Sequence, residues 1–326
     1  MTPGRFSSMR ARREGLDRID SALLARPKSG DFARALGREM GQVGAIAAVA
    51  AGSMEARVPE LPEVEFARRG LEAWLEGRTV SRAEAPPSRV FRGGDPAAVA
   101  TALAGRKLRT AERKGKYLLL SFDRDVGLLA HLGMTGKWVL RRQGEAGPRH
   151  PRFQFVLSRG DRVIYDDPRM FGRIALAPSA GLRELPEVAC LGPDPLADGL
   201  DPADLGARLA RTTRSIKAAL LDQAVIAGIG NIQAAEALFR ARIDPRRPAR
   251  ELTRRELRSL VHGIDESIAF TLAAQEQREI AYIDEGGPNP FLVYDRANAP
   301  CPRCRHPLER IVQGGRSTYF CPRCQR

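Results

Sequence analysis

Long apolar runs are missing from this 326-residue chain. No stretch approaches the ~20 apolar residues that a membrane-spanning helix needs, so a role that depends on such a span is excluded. Cysteine is scarce. There are five, and four of them fall in two CxxC pairs at the C-terminus. That excludes a disulfide framework spread over the fold and points to metal instead. Cys190 is left over and reads as an ordinary buried thiol. Acids are in the minority, 39 Asp and Glu against 53 Lys and Arg, so the formal charge is +14 and the pI about 10.3. Arg far outnumbers Lys. Such a balance points to a polyanionic partner, most simply nucleic acid; the plainer alternative is a solvated basic surface. Hydrophobic content, at 43%, is ample for sizeable cores and excludes a wholly disordered chain. The length predicts two domains.

Residues 1–58 differ in texture from the remainder of the chain. They hold 10 Lys or Arg and 6 Asp or Glu, +4 net, with Gly and Ala scattered throughout. A basic start and the Ala-rich run Gly44–Gly52 share features with a signal or transit peptide, but the segment is too long and too acidic for one. A disordered or weakly helical tail is the simpler expectation. A third reading is that the segment is never made: Val58 is a GTG start codon, read as Met and trimmed, so that Pro59 becomes the N-terminus.

The stretch from Val58 to Glu65, VPELPEVE, opens a helical pattern. Leu61, Val64, Leu71 and Leu75 recur at helical spacing, Pro62 suits a first turn, and the acids sit where a helix N-terminus favours negative charge. Read alone, this is a capped surface helix. Short apolar runs come next, broken by Gly, Pro and Arg: 79–83, 107–113, 117–122, 127–131, 137–140, 153–157, 163–165 and 174–176. They read as strands at hairpin spacing, with a helix over 95–103 capped by Asp95. The region 59–185 is therefore expected to be an antiparallel β-sandwich or barrel with a leading helix. A linker signal, Gly192-Pro193-Asp194-Pro195, marks 186–200. Helices are predicted over 202–210, 215–221, 233–241 and 253–274, within a helical domain over 201–290, with Asp201 and Thr253 as caps. Gly228-Ile229-Gly230-Asn231 lies between two of them. A Gly-rich turn opening on a helix N-terminus can hold a phosphate, although a packing turn explains it as well. Residues 282–290 read as a loop, and Phe291–Tyr294 as a strand.

The terminal Cys301-x2-Cys304 and Cys321-x2-Cys324, sixteen residues apart, are the most specific local signal. Two thiolates from each tight turn close a tetrahedral zinc site with no open position, hence structural. His306, two residues after Cys304, is poorly placed as a ligand. The ribbon over 291–326 has little apolar core of its own and should need its zinc to fold. Arg310, Arg316 and Arg323 give it a basic face.

Several motifs now stand in order: Pro59–Glu65, Lys116-Tyr117-Leu118, His131-Leu132-Gly133-Met134, Asp167-Pro168-Arg169-Met170-Phe171-Gly172, Gly228–Asn231 and the ribbon. As an ordered set they resemble the formamidopyrimidine-DNA glycosylase family, which includes endonuclease VIII-type enzymes. The likeness runs from Pro59 to Arg326. It implies a multidomain α+β fold: an N-terminal antiparallel β-sandwich with a leading helix, a helical helix–two-turns–helix domain, and a zinc-ribbon hairpin holding one Zn2+. It implies a monomeric, cytoplasmic, nucleoid-associated bacterial enzyme acting on double-stranded damaged DNA. The activity implied is bifunctional: a flipped oxidised base is excised and the strand is cut by β,δ-elimination.

By the same resemblance Pro59 is the nucleophile. A free α-amine titrates near ~8, so part of it is neutral at pH 7, and a secondary amine forms an iminium with the opened sugar. An internal Pro59 is an amide with no basicity, so residues 1–58 and this activity are incompatible. Glu60 would shuttle protons at the sugar ring oxygen and Glu63 would orient sugar and proline, while Glu65 reads as a helix-capping acid. Lys116 would grip a phosphate beside the lesion, and Lys217 would be a second active-site lysine. Met134, Arg169 and Phe171 would fill the hole left by the flipped base, and Asn231 and Arg316 would contact phosphates. Two departures bear on the substrate. Gln233 stands where an aromatic is expected, and the 282–290 loop is short for a lesion-capping loop. Oxidised pyrimidines are thus an alternative to formamidopyrimidines and 8-oxoguanine. A non-catalytic damage-binding protein is the rival class, but it has no need of Glu60 and Glu63. An RNA-associated zinc-ribbon protein explains the charge and the cysteines but not the motif at Pro59.

Overall fold

The computed structural model describes residues 59–275 and 289–326. The expectations for 1–58 and for most of the 282–290 loop lie outside the described residues. Helix α1 (Leu61–Leu75) forms as its spacing predicts. Pro62 occupies the first turn, where its missing N–H has no intrahelical partner to lose, and Leu61, Val64, Leu71 and Leu75 are buried. After it come β1 (Val80–Glu84), α2 (Pro96–Leu103), β2 (Leu108–Lys114), β3 (Tyr117–Phe122), β4 (Val126–His131), β5 (Lys137–Arg141), β6 (Pro151–Leu157), β7 (Arg162–Asp166) and β8 (Arg173–Pro178). Asp95 caps α2 by accepting from the Ala97 amide.

The strands make two four-stranded antiparallel sheets, in the orders β1-β6-β7-β5 and β2-β3-β4-β8. Their inner faces meet in one core: Leu118, Leu120 and Phe122 of β3 and Leu128 of β4 pack with Phe153 and Phe155 of β6 and Tyr165 of β7. Alternation along each strand sets this division of faces, because successive side chains point to opposite sides. Trp138 of β5 stacks on Phe155 with ring centroids 5.8 Å apart and planes at 13°. Trp74 of α1 packs against the same core.

The remainder is helical until the ribbon. A short α3 (Pro186–Ala189) lies within the expected linker, followed by α4 (Pro202–Leu209), α5 (Ile216–Leu220), α6 (Asn231–Ala241) and α7 (Arg254–Gln275). Asp201 caps α4, and Thr253 pairs reciprocally with Glu256 at the start of α7. Leu61 belongs to this second core rather than to the sandwich core, so α1 is shared between the two. The ribbon hairpin is β9 (Glu309–Gln313) and β10 (Arg316–Phe320), paired antiparallel across Gly314-Gly315.

Three readings of the sequence need correction. Phe291–Tyr294 is not a strand: the amides of Leu292, Val293 and Tyr294 all donate to the buried Glu236 carboxylate of α6, which leaves none for a ladder. Cys190 is exposed rather than buried, because it ends α3 at the surface. Glu65 is no exposed cap. It is buried and accepts from Arg68, Arg69 and the buried Arg113, and so bolts α1 to β2. Among the described residues no helix is long and apolar enough to cross a membrane.

Candidate active site and nucleic-acid interface

The start of α1 docks into the Gly228–Asn231 turn. The Leu61 amide donates to the Gly228 carbonyl at 3.0 Å. Glu60, 3% exposed, sends its carboxylate across to the N-terminus of α6, where it accepts from the amides of Gly230 (3.0 Å), Ile232 (2.8 Å) and Gln233 (2.9 Å). A helix N-terminus offers such orphan amides and a positive dipole end, and a carboxylate is the group they suit. Glycine is required on the facing side. Gly228 has φ +88°, and a Cβ on Gly230 would collide with the Glu60 carboxyl. The Gly turn thus receives an acid of the chain itself.

Beside it, Glu63 accepts from the Glu60 amide at 2.9 Å and from Gln275 Nε2, at the end of α7, at 2.9 Å. Burial first, and the Glu60 charge second, push the Glu63 carboxyl up to about 7. Lys116 lies in the β2–β3 turn. Burial lowers its ammonium from the usual lysine value; Glu60 and Glu63 work against that shift and Arg316 adds to it. These four charged groups therefore face one another, next to a buried Pro59. His131, in register with Tyr117 and Arg173 on the neighbouring strands, is pushed down to about 4 by burial and by Lys116, Arg92 and Arg173. It is neutral, and its Nδ1 accepts from the Gly133 amide.

Lys217 is 1% exposed. Its Nζ donates to the Ser317 carbonyl and to Thr318 Oγ1, each at 2.7 Å. Asn231 Nδ2 donates to the same Ser317 carbonyl at 3.1 Å, while its Oδ1 is buried and, among the described residues, has no partner. Two helices thus grip β10 one residue beyond Arg316, which is exposed.

Met134, Arg169 and Phe171 sit on two adjoining loops. The Gly133 backbone (φ +65°) lies so close to the Phe171–Gly172 backbone that a Cβ there would collide. Asp167, fully buried, ties the loops together by accepting from Thr135 Oγ1 (2.7 Å) and the Gly172 amide (2.8 Å). Phe171 is 43% exposed, with the Arg169 guanidinium 4.8 Å from its ring centre. An exposed aromatic backed by a cation is suited to stacking on another flat ring.

The four ribbon cysteines converge, all Sγ within 4.8 Å of one another. The Cys301–Cys324 and Cys304–Cys321 separations are 3.9 and 3.5 Å, close to the ~3.8 Å edge of a tetrahedron built on ~2.3 Å Zn–S bonds. Four thiolates packed this closely repel one another, and a divalent cation at their centre removes that cost. The set fits one structural zinc ion, and His306 is not part of it.

Sequence reasoning missed Asp167 and Gln275 as parts of the site. Asp167 had a signal, since a buried acid opening an Asp-Pro turn invites an amide partner. Gln275 had none: its bond to Glu63 spans 212 residues of sequence.

Comparison with known proteins accounts for the chain from the first helix to the ribbon. The family models for the formamidopyrimidine-DNA glycosylase N-terminal domain, its H2TH domain, and the zinc finger found in FPG and IleRS match residues 58–174, 191–280 and 299–326. The formamidopyrimidine-DNA glycosylase of Chloroflexus aurantiacus is 41% identical over 273 residues, covering 82% of this chain and 98% of that protein. The crystal structure of the MutM (Fpg) protein of Thermus thermophilus superposes with a TM-score of 0.70 at 38% identity, covering 82% of this chain and 98% of that one. The Lactococcus lactis Fpg, solved with DNA containing N7-benzyl-Fapy-dG, gives a TM-score of 0.74 at 30% identity, covering 82% of this chain and all of that one.

Proposed function

The chain belongs to the formamidopyrimidine-DNA glycosylase family, and we propose that, with Pro59 as its N-terminal residue, it excises oxidised bases from duplex DNA and cuts the strand. The neutral amine of Pro59 attacks C1′ of the extruded nucleotide. The C1′–base bond breaks and the base leaves with the proton given up by the attacking amine; Glu60 then gives its proton to the ring oxygen as the C1′–O4′ bond breaks and the sugar opens to an iminium. The iminium is an electron sink. Loss of a C2′ proton expels the 3′ phosphate, a second elimination expels the 5′ phosphate, and a gap flanked by phosphates remains. Glu63 orients the sugar and the amine. Lys116, Asn231 and Arg316 hold phosphates, Lys217 serves the site through Ser317, and Met134, Arg169 and Phe171 occupy the vacated stack. The zinc ion keeps the ribbon folded and takes no part in a step.

The observation that carries this reading is Glu63. A carboxyl raised to about 7 beside Pro59, held in place by the Glu60 amide and Gln275, is a perturbed group that a purely DNA-binding surface does not need. Formamidopyrimidines and 8-oxoguanine are the proposed substrates; the Lactococcus relative in complex with a Fapy lesion supports them. Borohydride trapping on an abasic or 8-oxoguanine duplex is the test. A protein beginning at Pro59 and loaded with zinc should give a covalent adduct, and its failure to do so overturns the proposal.

A further inference from the structure

We infer that Gln275, the last residue of α7, is a positioning residue that sets the charge state of Glu63 through its side-chain amide. This deepens the proposed function and rests on it. The geometry is specific. Each oxygen of Glu63 accepts one bond: Oε2 takes the Glu60 amide, and Oε1 takes Gln275 Nε2 at 2.9 Å. Gln275 Oε1 is buried and, among the described residues, has no partner. A buried amide oxygen left unpaired costs free energy, so one retained next to a titrating acid calls for an explanation.

The explanation lies in the proton. An ionised carboxylate only accepts, and the Gln275 N–H serves it. A protonated carboxyl also donates. Turned by half a rotation, the same amide presents Oε1 to that donor. One side chain therefore has a bond to offer either form of Glu63, and the unpaired oxygen is the half in reserve. Several other groups act on Glu63. On its own segment Glu60 repels its charge, and Pro59 lies close to it in sequence. From the β2–β3 turn Lys116 attracts its charge, with Arg316 of β10 acting on Lys116. Each of these could switch between donor and acceptor only by changing its own charge; Gln275 needs no such change.

The two acids are thus held by different helices of the helical domain. Glu60 sits on three backbone amides of α6, which do not change with protonation. Glu63 sits on a side chain of α7, which does. The helical domain sorts two neighbouring carboxyls into different proton roles.

The test is the titration of the Glu63 carboxyl carbon by NMR in the full chain, which needs no activity. Q275A removes both bonds, and because the one to the ionised carboxylate is the stronger, the midpoint should rise by about half a pH unit, roughly a threefold gain in proton affinity. Q275E, nearly the same shape, brings a second negative charge and should raise it further; it keeps the test available if the alanine variant loosens the helix end. Midpoints that stay at the parent value in folded variants overturn the inference. A zinc-loaded parent protein beginning at Pro59 that fails to trap overturns the proposed function instead, so the two failures are distinct.

Discussion

The Glu60 carboxylate lies 3.0 Å from the Gly230 amide, across 170 residues of sequence. The acid at the head of the first helix is also the N-terminal cap of the helix that begins at Asn231. Chemistry and domain docking therefore use one side chain, and disturbing the docking disturbs the chemistry. In Gly230→Ala the new methyl meets the Glu60 carboxyl. Trapping should fall at least tenfold and the melting temperature should drop; rates and a melting curve on the same preparation check both.

Glu63 gives a pH dependence of definite sign. The group titrates near 4.5 in the unfolded chain and near 7 in the folded one. The native state binds the proton more tightly, so the stabilisation is complete below 4.5 and lost as pH rises through 7. Glu63→Gln keeps the neutral form at all pH values. It should melt with the parent at pH 4 and above it at pH 8, while trapping is lost. A variant that melts lower at pH 8 would contradict this.

Metal removal should act at a distance from Pro59. Cys321→Ser, or chelation, unfolds the ribbon and withdraws the Ser317 carbonyl from Lys217 and Asn231. DNA affinity should weaken at least tenfold and the salt dependence of binding should flatten as phosphate contacts are lost. Binding isotherms at two or more salt concentrations report it.

The proposed role of Pro59 requires a free amine. Protein beginning at Pro59 should trap on an abasic duplex, and the 326-residue chain should bind DNA without forming an adduct. N-terminal sequencing of the untrapped protein should read Pro-Glu-Leu-Pro, and of the trapped protein should be blocked, because the reduced adduct makes the Pro59 nitrogen a tertiary amine.

Asp167→Ala removes the acceptor shared by Thr135 and Gly172. Leaving those donors buried costs about 1–3 kcal/mol each at most. The loops bearing Met134 and Phe171 should then part, slowing base extrusion more than the elimination on a preformed abasic site. Comparing single-turnover rates on the two duplexes separates the steps.

Much of this was legible in the sequence because it is local. The spacing of Leu61, Val64, Leu71 and Leu75 gave the first helix. Short apolar runs broken by Gly, Pro and Arg gave eight strands, and the CxxC pairs gave the zinc site. What was not legible depends on distant partners. Phe291–Tyr294 has the residues of a strand, yet Glu236 takes its amides. Glu65 looks like a surface acid until Arg113, from another element, arrives beside it. Gln275 is an ordinary helix end until the fold sets it on Glu63. Apolar periodicity reports which face is buried, not which buried polar groups find each other.

The chain has two tryptophans, Trp74 and Trp138, and both belong to the sandwich core. Intrinsic fluorescence excited at the red edge therefore sees one region only. Zinc loss and fraying of the ribbon should pass unseen in that signal while far-ultraviolet circular dichroism changes, and the stacked Trp138–Phe155 pair should report the melting of the sheets alone. The aromatic core thus carries its own optical label, and the order in which the parts of this protein come apart can be followed without adding a dye.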